Sequence, residues 1–556
     1  MSKGFLICLL VVTLRWVATA QIPRTLQIGA TNGIVTLSTQ TSPGTFFGQL
    51  QTTTNLSPPI VWSGTASTVL EAGVNSNFPA ADGPVFFRLL QQWSVFGFAI
   101  FYNLNLEIDP GNIMPINGPV FSNAGIWSGS SSVTFYSAVI AVNQVYTNLN
   151  DPFLSGKSGS GSPTFALTAQ PVSHASALKL PGSGFNGNPT NAEAILNLPP
   201  PVYAMGTPAA YSTNGQIYLA NEADLIISNA AFGTNSVTPK GTNISIWYQD
   251  SANTPYLTPI APDFYRLKIP AVTGLNTNYV SPNLSDTNRC YTNVAYAGWS
   301  FVTNVAFYDY REQDVAQAVQ INVGLFNVWL TNILKPTFGE MYSATCVADK
   351  GHTIDSIWVY NSVIRDYSTF PAVRVFNGIQ LANAWGLTVA TPMPLYVYGD
   401  YNKQKDPTHV ASGTNTVNTY PAALMGDAVT FLSANWLDAY SPSTPLFSRT
   451  AVNTTVNAAV LEGIVPSFTN TSTSTYYYSG GMENFERLLE DWNLGLAYTL
   501  TYNGSIVALF PSLIATNVWS GSYYSIPTRA WGFDFNFLQQ AKLPPLTPAV
   551  VNYFTP

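Results

Sequence analysis

The chain is short of charge. Lys and Arg number 21 and Asp and Glu 28, only 9% of 556 residues, against roughly a quarter in an ordinary soluble domain. There is no Lys/Arg run and the net charge is −7, so the electrostatic footprint of a nucleic-acid-binding protein is missing. Histidine is nearly absent: His174, His352 and His409 are the whole supply, which restricts imidazole acid–base and metal chemistry. No Gly-x-Ser-x-Gly elbow occurs; Gly298-Trp299-Ser300 runs on into Phe301-Val302. Gly156-Lys157-Ser158 has the ending of a phosphate loop, but Asp151 stands where its first glycine is required, and a Gly/Ser linker is the simpler reading. No later apolar run reaches the roughly 18 residues of a membrane span. These absences leave no cofactor and no metal to assign.

What is present is apolar and neutral-polar. Hydrophobic residues make up 46% and aromatics 13%, enough for a large core and against disorder. Asn, Thr, Ser, Gln and Tyr supply the polarity. Lys3, the apolar stretch Phe5 to Leu14 and Ala18-Thr19-Ala20 before Gln21 read as a secretory signal over residues 1–20. A prepilin reading of Gly4-Phe5 is the alternative, with Leu9 where an acid is expected. After cleavage only Cys290 and Cys346 remain. They are a candidate disulfide in an exported chain, and two buried thiols are the competing reading.

The expected fold is mainly β. Residues 21–93 carry short strands such as Gly33-Ile34-Val35-Thr36-Leu37 and Phe86-Phe87-Arg88-Leu89 between Gly, Pro, Asn and Asp, the spacing of a small β-sandwich. Residues 94–154 and 371–556 repeat very short apolar strands with small polar corners, as in Val133-Thr134-Phe135 and Leu395-Tyr396-Val397. That texture predicts a β-helix-like body in two parts, with a many-stranded sandwich as the alternative. Residues 155–370 read as an inserted mixed α+β subdomain. It opens on the Gly/Ser run 155–163 and contains one helix, with Leu325, Phe326, Trp329, Leu330, Ile333 and Leu334 at helical spacing. A second helix is predicted over 483–492, with Phe485, Leu488, Leu489 and Trp492 on one face and Glu483, Arg487 and Asp491 on a solvated one.

Two resemblances follow. Gln51-Thr52-Thr53-Thr54-Asn55-Leu56, Val61-Trp62 and Phe86-Phe87-Arg88-Leu89 resemble a small immunoglobulin-like module of exported bacterial proteins, usually C-terminal and without catalysis. Across residues 97–556, Asn117-Gly118-Pro119-Val120-Phe121-Ser122-Asn123, Phe307-Tyr308-Asp309-Tyr310-Arg311-Glu312, Gly386-Leu387-Thr388-Val389 and Phe485-Glu486-Arg487-Leu488-Leu489-Glu490-Asp491-Trp492 resemble large exported bacterial proteins. Some of these carry pilus-assembly, PilX-like labels. The resemblance implies export and a β-helical body, and brings no catalytic residue with it.

For chemistry, only paired carboxylates remain, as glycoside cleavage needs. Asp309, Asp400 and Asp427 are the candidates; an ion-paired turn beside Arg311 and ordinary strand-end turns are the simpler accounts. Tyr476-Tyr477-Tyr478 and Tyr523-Tyr524 are candidate glycan-stacking aromatics. The expectation is therefore a noncatalytic structural, adhesive or appendage-associated protein, secreted or at the cell surface, with envelope proteins, appendage proteins or glycans as partners. The alternative is a polysaccharide-active enzyme.

Overall fold

The computed structural model describes residues 93–167, 169–179, 192–229, 244–250, 257–260, 300–331, 342–495 and 497–550 with their side chains, and the backbone of strands within 26–92, at 266–267, 299 and 551–553, and of helical residues 338–341. Residues 1–20, expected to be a secretory signal, and Cys290 lie outside the described residues. The protein is mainly β. The α-helices among the described residues are Val323–Thr331 and Phe338–Lys350, and none is long and apolar enough to cross a membrane.

Strands of three residues cannot stand alone, so they stack. Val120–Ser122 pairs in parallel with Ile100–Tyr102 on one side and Val139–Ala141 on the other. Leu106–Ile108, Ile126–Ser128 and Val145–Tyr146 form a second parallel ladder, and Met114–Ile116, Val133–Phe135 and Thr164–Phe165 a third. Each turn of chain thus lies on the one before it, and equivalent groups 20 residues apart bond to each other. Asn123 donates to Asn103 Oδ1 at 2.8 Å and the Gly125 amide to Asn105 Oδ1 at 3.1 Å. The alternating apolar residues (Leu106, Ile126, Val133 and Val139 among them) are fully enclosed.

The first ladder belongs to a 12-stranded sheet whose spatial order departs from chain order. Leu225–Asn229, Ser356–Asn361, Leu387–Ala390, Ala422–Gly426, Ala459–Ile464 and Ile506–Pro511 stack in parallel in that sequence, and the last of them pairs with Ile100–Tyr102. The stack therefore begins in mid-chain, runs to the C-terminal strands and continues into the N-terminal ones. Ser505 Oγ donates to the Phe98 carbonyl at 2.6 Å across this seam, and the Asn103 amide to Ala508 O at 2.7 Å. A second sheet runs alongside. In it Asp314–Asn322, Thr369–Gln380 and Leu395–Asp406 pair in parallel, followed by Thr454–Asn457, Thr499–Gly504 and Thr528–Phe533. The span expected as an insertion, 155–370, contributes strands to both sheets.

Neutral side chains perform part of the polar work inside. Asn457 donates to Asn402 O at 3.0 Å and accepts from Asn503 Nδ2 at 2.7 Å, all three buried. Such a ladder satisfies buried polar groups without desolvating an ion, which is the physical use of so charge-poor a composition.

Residues 26–92 contribute two antiparallel sheets. One is Leu26–Thr31, Ile34–Thr39 and Ser76–Pro79. The other is Ser63–Leu70, Phe47–Thr53 and Phe86–Ser94, closed on its far side by the C-terminal Ala549–Tyr553.

Two sequence expectations need correction. The Gly/Ser run at 155–163 is docked rather than a free linker: the Gly161 amide donates to Gly129 O at 2.9 Å, and a Cβ at Gly159 would lie 2.0 Å from that same carbonyl. These glycines serve close backbone approach. Residues 483–492 are not a helix but a 3₁₀ turn, Met482–Asn484, followed by the strand Arg487–Leu488, which pairs in parallel with Val429–Leu432. The helical spacing of apolar residues was real, and all four are buried, but Glu483, Glu486, Arg487, Glu490 and Asp491 are buried as well. All but Glu486 bond to neighbouring coils, so no solvated face exists to favour a helix.

Gly386 offers a test of the stacking. It sits at φ +90°, and a Cβ there would lie 1.8 Å from the Pro421 carbonyl oxygen. Gly386→Ala is expected to cost about 1–3 kcal/mol in a denaturant titration; an unchanged midpoint would contradict the close approach.

Candidate functional site

Beside the Ile100 coil lies a cavity of about 20 Å³, lined among others by Tyr102, Glu107, Arg311, Glu462, Ser479 and Arg487. Four distant parts of the chain meet there. Glu107 lies on Leu106–Ile108, Glu462 on Ala459–Ile464 and Arg487 on its short strand. Arg311 lies in the turn between Val302–Asp309 and Asp314–Asn322. The volume suits one or two waters, not a sugar ring.

Every charged group lining it is buried. Glu107 accepts hydrogen bonds from Ser467 Oγ at 2.6 Å and Ser479 Oγ at 2.7 Å. Burial pushes its carboxyl up to about 8, and the neighbouring Asp151 adds to the rise. Glu462 accepts from the Val429 amide, and burial holds it well above the usual carboxylate range. Arg487 donates to Glu312 Oε1 at 2.7 Å and to the Ala515 carbonyl at 2.6 Å. Around this core, burial raises Glu483 to about 7, Glu486 to about 8 and Glu490 to about 7. Glu486 is the extreme case, since neither of its oxygens has a hydrogen-bond partner. An acid so placed is neutral at pH 7.

The three carboxylates singled out in the sequence fare differently. Asp309 is buried and accepts from the Arg311 and Glu312 amides at 2.7 and 2.8 Å and from the Tyr396 hydroxyl at 2.5 Å. Asp427, fully enclosed, accepts from the Leu513, Ile514 and Ala515 amides at 2.6, 3.1 and 2.7 Å. Both belong to the charged network around Arg487. Asp400 stands apart, bonded to Lys403 Nζ and the Thr455 amide, each at 2.7 Å. Glu107 and Glu462 escaped notice because a lone acid in a three-residue strand carries no spacing signal; only stacking brings them together.

Of the aromatics, Tyr524 is buried, whereas Tyr476 and Phe468 are exposed on the hairpin Phe468–Asn470/Thr475–Tyr477. Cys346 is buried, and the candidate pairing with Cys290 involves a residue outside those described.

Fold and site together define a mainly-β protein with a stacked parallel interior and a buried, water-sized acidic centre. The chain has no match among protein-family models, curated proteins or solved structures.

Proposed function

We propose that this chain is a noncatalytic, exported scaffold protein, structural or adhesive, whose body is a β-helix-type stack. The observation that carries the reading is the use made of the carboxylates. Asp309, Asp427, Glu107 and Glu490 are spent on amides and hydroxyls of adjoining coils, so they staple the stack together. The secretory-type N-terminus and the resemblance to exported bacterial proteins support the same reading. Envelope or appendage proteins and glycans are the partners it implies. Fractionation of native cells with mass spectrometry of the mature N-terminus tests it: a start at Gln21 in the secreted or surface fraction is expected, and an intact cytoplasmic chain would refute it.

Adhesion would use the exposed hairpin. Tyr476→Ala is expected to abolish any glycan-array signal without altering thermal unfolding, because the ring is 48% exposed. Signals that survive the change would locate binding elsewhere.

A second reading, a polysaccharide-active enzyme, has one observation in its favour. Glu107, protonated to about pH 8, is in the state a general acid needs. Cleavage of any member of a polysaccharide panel, abolished by Glu107→Gln, would establish it over the first.

A further inference from the structure

The end of the stack around Leu225–Asn229 carries a second cluster, with different chemistry. Asp224 precedes that strand, Cys346 lies on the helix Phe338–Lys350, His352 follows the helix, and Asp355 precedes Ser356–Asn361. Cys346 Sγ is 3.7 Å from Asp224 Oδ1 and 3.9 Å from His352 Nδ1. His352 Nδ1 is 3.8 Å from Asp224 Oδ2 and 3.1 Å from Asp355 Oδ2.

We propose that Asp224, Cys346, His352 and Asp355 form a zinc site that ties the helix Phe338–Lys350 to the first strands of the stack.

A thiolate, an imidazole and carboxylates are the donors zinc prefers. Zinc–ligand bonds of about 2.0–2.3 Å place tetrahedral donors roughly 3.3–3.7 Å apart; one ligand atom each of Asp224, Cys346 and His352 already lies within 4.8 Å of the others, so binding needs to draw them in by no more than about an ångström. An outer shell is in place: Asp224 Oδ2 accepts from the Asp355 amide and from Ser356 Oγ, both at 3.0 Å, which fixes the carboxylate. There is also a route in. Asp224 and Cys346 form the closed floor, while the His352 and Lys350 side chains are 28% and 15% exposed on the solvent side.

Two neighbouring groups fit a site for positive charge. Lys350 Nζ lies 2.8 Å from Asp224 Oδ1, so an ammonium on a flexible stem holds the place of the positive charge. The Tyr248 hydroxyl is buried against the Cys346 sulfur, a contact that a metal-bound thiolate would strengthen. On binding, the Cys346 thiol proton and the His352 Nδ1 proton pass to solvent, and Lys350 releases Asp224. A nucleophilic role for this cysteine is disfavoured because its side chain is fully enclosed.

The test is a titration of the chelator-treated full chain with cobalt(II) chloride, followed by zinc. Expected are a thiolate-to-cobalt charge-transfer band that saturates at a single equivalent, its loss on adding zinc, and its absence in Cys346→Ser. Asp355→Asn should weaken binding about 10–100-fold. Lys350→Met should tighten it at least about tenfold, since it removes a competing cation beside the ligands. This variant changes a side chain at the solvent edge, so it keeps the test decisive if Cys346→Ser does not fold. The proposal is overturned by the lack of a charge-transfer band in both the unaltered chain and Lys350→Met, by a band that survives Cys346→Ser, or by peptide mapping that finds Cys346 bridged to Cys290.

Discussion

Replacing Arg487 by methionine is expected to cost about 3–5 kcal/mol of stability, the penalty for stranding buried charge. The guanidinium is 5% exposed, bonds directly to Glu312 and the Ala515 carbonyl, and faces Glu462, Asp427 and Asp309 across the network. Glu312 also accepts from the Asn517 amide at 3.2 Å, so losing Arg487 unbalances contacts to three separate coils. The double change Arg487→Met with Glu312→Gln should recover part of the loss, because the uncompensated carboxylate goes with its partner; coupling of about 0.5–3 kcal/mol is expected. Denaturant midpoints of the four proteins measure it. A single-variant loss under about 1 kcal/mol would show that the network does not hold the seam.

The second large effect is on pH. Most domains lose stability in acid because their native carboxylates are ionised and paired; here the sign reverses. Burial lifts Glu107 and Glu486 to about 8 and Glu483 and Glu490 to about 7, whereas an unfolded glutamate titrates near 4.3. Between about pH 4 and pH 8 the native state therefore binds more protons than the unfolded state, and stability falls as pH rises through that window. Each such group contributes a slope of up to about 1.4 kcal/mol per pH unit. Unfolding midpoints should be highest near pH 5 and markedly lower near pH 9. Glu486→Gln keeps that site neutral at every pH, so it should flatten the profile and match or exceed the parent at alkaline pH. A profile that peaks near pH 8 would rule this out.

Much of the fold could be read from residues alone. Short apolar runs with Gly, Asn and Ser at the corners force short strands, and charge poverty forces neutral side chains to satisfy the interior. The first helix was legible too: Asn322 Oδ1 caps the Leu325 amide at 3.0 Å, at the junction of a period-2 and a 3.6-period pattern. The 483–492 segment misled because its apolar spacing fits a helix, while its acids answer to amides elsewhere: the Ser433 amide for Glu490 at 2.6 Å, the Asp109 amide for Glu483 at 3.2 Å. Nothing local encodes those partners. The same holds for Asp427, whose carboxylate meets three amides more than 80 residues away.

The sequence by itself determined a β-rich chain with few ions, little imidazole and a polar supply of amides and hydroxyls, because those are compositional facts that limit which groups can be buried. Only the tertiary structure decided where the few charges went. Stacking the N-terminal coils onto the C-terminal ones creates a buried seam, and in a buried seam a carboxylate must take up amides and a cation or keep its proton. Chain order shows neither that the two ends of the body meet nor that Asp224, Cys346, His352 and Asp355 share one corner of it. Both depend on parallel pairing between segments that are remote in sequence.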